Sequence, residues 1–63
     1  MIDSFAEFVV LQLRDQRAAL ISDLGAGRAS SFEEYKSLVG RIEGLSQAII
    51  TIKESTQRYA DDS

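Results

Sequence analysis

Few residues in this chain of 63 could do chemistry. Cys and His are both absent. That removes thiolate nucleophiles, thiolate and imidazole metal ligands and the commonest general base together. Gly25-Ala26-Gly27-Arg28 could form an anion-binding nest ahead of a helix. It lacks the G-x-x-x-x-G-K-[ST] spacing of a phosphate loop and the strand that should precede one, so a helix cap and turn is the simpler reading. Glu33 and Glu34 are adjacent, and neighbours on a helix point in different directions; they suit capping better than paired acid and base. Ser30 and Ser31 have no His or Lys placed to activate them. Tyr35 and Tyr59 fall at positions that read as core. The expectation is a protein that is not an enzyme, with no catalytic, cofactor-binding or metal-ligating residues and no cofactor.

The elements that carry these residues are two helices and a loop. Ser4 and Glu7 have the spacing of a capping box, and the pattern predicts a first helix over about 4–24. Gly25 is the residue best able to take the left-handed conformation at its end. A connector over about 25–30 follows. Ser30 with Glu33 and Ser31 with Glu34 are two overlapping capping boxes that compete for the second start. No Pro interrupts what comes after, so a second helix is predicted over about 31–59. Residues 60–63 read as a frayed tail, because Asp61 and Asp62 oppose the negative end of the helix dipole.

The second helix carries a seam. Tyr35, Leu38, Ile42, Leu45, Ile49, Ile52, Thr56 and Tyr59 follow the three-four rhythm of a coiled-coil stripe. Ala6, Val9, Val10, Leu13, Leu20, Ile21 and Leu24 make a matching stripe on the first helix. A connector this short lays the helices antiparallel. The predicted architecture is all-α: one domain over 1–63, an antiparallel two-helix hairpin.

Such a hairpin is close to the lower limit for folding alone. A domain of about 60 residues buries only roughly 60% of the surface of its unfolded chain. Disulfides, metals and oligomerisation are the usual supports, and without Cys or His oligomerisation remains. The formal charge is −3, with Arg14, Arg17, Arg28, Lys36, Arg41, Lys53 and Arg58 scattered. No basic stripe exists to neutralise phosphates, which disfavours nucleic acid as a partner. No apolar run approaches the roughly 20 residues of a membrane span. The start also lacks the pattern of a signal peptide, so the expected location is the cytoplasm or a particle assembled there.

Two features point outward. At about 100° per residue, Phe8 and Leu11 fall opposite the main stripe of the first helix, with Phe5 at its edge. A helix apolar nearly all round is normally buried on several sides, and one partner helix cannot do that. On the second helix Ser37, Gly40, Gly44, Ala48, Thr51 and Ser55 line the back. Small residues four apart let another backbone approach closely. Phe5, Phe8, Leu11, Gly40, Gly44 and Ala48 are therefore the candidate partner-binding residues.

The stretch Glu34-Tyr35, Leu38, Gly40-Arg41-Ile42-Glu43-Gly44-Leu45, Ala48, preceded by the Gly27-Arg28 turn, resembles a family of short helical proteins. These are encoded in the virion-structure gene blocks of tailed bacteriophages. The resemblance covers the loop and half of the second helix. It implies a small virion component attached to capsid, portal or neck, with no catalytic residues. The expected function is a structural or interaction protein whose hairpin is completed by other subunits, as a homo-oligomer or in a larger assembly. The alternative is a small regulatory binding module, either an inhibitor of a protein or a ROP-like hairpin dimer that binds RNA.

Overall fold

The computed structural model describes residues 4–62. Two helices, α1 (Ser4–Gly25) and α2 (Phe32–Asp62), pack antiparallel as a hairpin. At about 1.5 Å per residue they run roughly 33 Å and 46 Å, and the hairpin is a rod 48 Å long, 17 Å wide and 11 Å deep. The thinness matters. In a layer one helix deep, each helix can be covered along one stripe only.

The turn is built differently from the expectation. Gly25 is an ordinary last helical residue, and Gly27 holds the left-handed conformation at φ 74°. The Gly27 amide donates to the Leu24 carbonyl at 3.1 Å and the Arg28 amide to the Asp23 carbonyl at 3.1 Å. These are the paired bonds of a Schellman cap with Gly27 at its centre. The helix therefore ends later than about residue 24, and the glycine that matters is the second of the pair. Strain on adding a side chain is expected at Gly27 rather than Gly25. Arg28 also reaches Asp23 at 3.6 Å, an exposed pair of small energetic weight.

Of the two competing starts for α2, Ser31 prevails. Its hydroxyl accepts from the Glu34 amide at 3.1 Å, and its carbonyl accepts the first helical bond, from Tyr35, at 3.0 Å. Glu34 in turn folds back: the Ser30 amide and the Ser30 hydroxyl both donate to its Oε2 at 2.9 Å. The carboxyl is held below its ordinary range by the Ser30 amide first and the Ser30 hydroxyl second. A carboxylate depressed in the folded state contributes fully above its unfolded pKa and is lost as pH falls through the lower, folded value. Acidification should accordingly fray the start of α2, and Glu34→Gln should remove that acid-sensitive step from a circular-dichroism titration. A step of unchanged size in the variant would assign it to another carboxylate.

At the far end α2 continues through Asp62. The tail expected to fray from residue 60 is helical to that point, and Ser63 lies outside the described residues. The two acidic residues cost dipole energy within the last turn only, too little to stop a helix that no Pro interrupts and that has no Gly after Gly44.

The core is small. Ala6, Val10 and Leu20 of α1 and Ile49 of α2 are buried. Val9, Leu13 and Leu24 on one side, with Leu38, Ile42, Leu45, Ile52 and Thr56 on the other, are half-buried. The two ends of the expected seam are not core: Tyr35 is 47% and Tyr59 78% exposed. Tyr35 instead stacks on Phe32, one turn earlier, at 6.4 Å between ring centroids, with Lys36 Nζ over the Phe32 ring at 5.6 Å. Ile21, expected in the α1 stripe, is also exposed, because a single partner helix covers only the centre of a broad stripe.

Candidate interaction surface

The residues that could meet a partner are held by the same packing that leaves them uncovered. Ala6 and Val10 turn into the hairpin. Helical geometry then forces Phe8 away from it, since residues two apart lie roughly 200° round the helix. Phe5 is 77%, Phe8 60% and Leu11 49% exposed. All three expected anchors thus lie exposed near the open end of the hairpin.

The small-residue side of α2 divides in two. Gly40 and Gly44 are exposed, and a Cβ built at either would meet nothing within 4 Å. No close approach within the hairpin requires glycine at these positions. Ala48 is half-buried, so it lies nearer α1 than a position opposite the seam would. Gly44 is likewise drawn to one flank, where it lines a groove between the helices with Gln16, Ala19, Leu20, Arg41 and Leu45. This groove is open and has a volume of about 630 Å³. It exists because Ala19 and Gly44 supply almost no side chain on either wall.

Two features of this surface escaped the residue-by-residue reading. One is the groove itself, since Ala19 carries no signal until its neighbour on the other helix is known. The other is Arg17, which is half-buried between Leu13 and Leu20 and donates from its guanidinium to Ser46 Oγ at 3.1 Å. Its spacing, four after Leu13 and three before Leu20, puts it in the stripe and could have revealed it. A single polar residue at such a position helps fix register, and this bond ties α1 at residue 17 to α2 at residue 46.

The residues weighed for chemistry form no common site. Ser30, Ser31 and Glu34 satisfy each other as a cap, and Tyr59 lies at the opposite end of the rod. Among the described residues no group of three or more His, Cys, Asp or Glu is placed to hold a metal ion. Among them, too, no helix is long and apolar enough to cross a membrane. No family model, curated relative or solved structure matches the chain.

Proposed function

We propose that this chain is a non-enzymatic structural or interaction protein that completes its core with other protein subunits. One observation carries the reading. Among the described residues four are buried, while Phe5, Phe8, Leu11, Ile21, Phe32, Tyr35, Ile50 and Tyr59 are all exposed. Scattered apolar residues are normal on a surface, but here the exposed large side chains outnumber the core. Phe5, Phe8 and Leu11 lie within two turns of one another, and clustered apolar surface of that kind marks a protein contact.

The resemblance around Gly40-Arg41-Ile42-Glu43-Gly44-Leu45 supports a narrower form, a small virion component of a tailed bacteriophage seated on capsid, portal or neck. A regulatory inhibitor would need the same apolar end. Mass spectrometry of purified particles separates them. A virion component is retained at fixed stoichiometry through density-gradient purification, whereas a regulator stays in the free fraction. Recovery only in the free fraction would overturn the virion form and leave the wider reading to be judged by whether the isolated chain folds cooperatively without a partner.

A further inference from the structure

The two flanks of the hairpin differ. One is the flank of the groove, lined by Ala19, Arg41 and Gly44. The other is marked by the bond from Arg17 to Ser46. At about 100° per residue, Arg14 and Ile21 lie on the side of Arg17 away from the groove. On α2, Tyr35, Val39 and Ile50 fall within about 40° of Ser46. Ile21, Tyr35 and Ile50 are exposed, and Val39 is half-buried. The helices run antiparallel, so the order from the turn outward is Tyr35, Val39 with Ile21, Arg17, then Arg14 with Ile50. Two cations stand within an apolar strip.

Those cations decide what can cover the strip. Arg17 is half-buried, and its bond is to a neutral hydroxyl. Among the described residues neither Arg14 nor Arg17 has a carboxylate in ion-pair contact, unlike Arg28, which has Asp23. A partner resting on both Val39 and Ile50 must also cover Arg17, which lies between them along the rod. Burying that charge unpaired is costly, and a carboxylate offsets the cost far better than a hydroxyl does. The occupant must also satisfy its own backbone, because two helices offer no strand edge to pair with.

We propose that this flank docks an amphipathic helix of a partner protein that carries Asp or Glu between its apolar contacts. The proposal rests on the interaction reading above and gives that partner its chemistry. Val39 precedes Ser46 by seven residues and Ile50 follows it by four. A helix laid along α2 with the same spacing presents an apolar residue, a carboxylate and a second apolar residue on one stripe. From Tyr35 to Ile50 the flank runs about 22 Å, enough for a helix of about 15 residues. A nucleic-acid backbone would meet the two arginines but leave Ile21, Val39 and Ile50 without an apolar neighbour, so charge and apolar surface together favour protein.

The test titrates the full chain with two synthetic helical peptides that share one leucine stripe and differ only in a central Glu or Lys. By fluorescence anisotropy the Glu peptide should bind at least about tenfold tighter than the Lys peptide. Arg14→Gln with Arg17→Met should erase that preference while helicity holds, since Met keeps an apolar stem in the seam and both are good helix formers. Ile50→Gln should weaken both peptides alike. Equal affinity for the two peptides in the parent overturns the acidic partner. A preference that survives the double change overturns its assignment to Arg14 and Arg17. A structured RNA that binds in place of the Glu peptide, and is lost with the double change, makes the flank a nucleic-acid surface and overturns the proposal. Self-association that Ile50→Gln disrupts makes a second copy the occupant and overturns the separate partner. Failure of the Glu peptide to bind overturns this flank as a docking face and leaves the interaction reading standing. That reading falls only if the isolated chain is a monomer that melts cooperatively.

Discussion

Ile49→Ala should unfold most of the chain. Ile49 is 4% exposed, the deepest residue of α2, and meets a stripe whose deepest member, Val10, is equally buried. Removing its side chain beyond Cβ costs about 2–5 kcal/mol, a transfer loss plus a cavity that a two-helix layer refills poorly. Total stability at about 0.05–0.15 kcal/mol per residue is of the same order for a chain this size. The check is a thermal melt followed by circular dichroism at fixed protein concentration, with Arg58→Ala as the exposed comparison. The Arg58 variant should track the parent, while the Ile49 variant should lose helicity well below it. Coincident melts would mean that the seam is not what holds the hairpin.

The same residue shows what the sequence could and could not convey. The three-four spacing around Ile49 placed it in the seam, and it is there because spacing alone decides which side chains share a stripe. The stripe's ends were misjudged for a reason spacing does not contain. Tyr35 and Tyr59 have the right phase, yet a rod one layer thick supplies no second wall, so phase did not become burial. The cap was expected at Gly25, the first glycine after the apolar stripe, but Gly27 takes the left-handed conformation. The choice fell to Gly27 because the helix carries one further bond, from the Ala26 amide to the Ser22 carbonyl, before the chain reverses. The Gly44 groove was illegible from either helix alone, since its walls belong to residues 25 apart. What reads directly from a sequence is local phase and capping chemistry. What does not is how many neighbours the fold provides.

The double change Phe8→Ser with Leu11→Gln should separate folding from assembly. Both side chains are exposed and turned away from the buried stripe, so the hairpin's own contacts are left alone. Helix propensity scarcely interferes, because Ser is close to Phe and Gln close to Leu on host scales. Truncating a buried aromatic anchor of an interface often costs about 2 kcal/mol or more, or roughly thirty-fold in affinity. Helicity at high protein concentration should therefore stay near the parent's, while self-association, and retention in any particle that contains the chain, falls by at least that factor. Gly40→Ala is the useful contrast: its added Cβ meets nothing within the hairpin, and it should raise helicity without weakening an assembly held through Phe8 and Leu11. If the double variant assembles as well as the parent, Phe8 and Leu11 are ordinary surface. If Gly40→Ala is the one that fails, the contact lies instead on the back of α2, where Gly40 would be required by a neighbour's backbone.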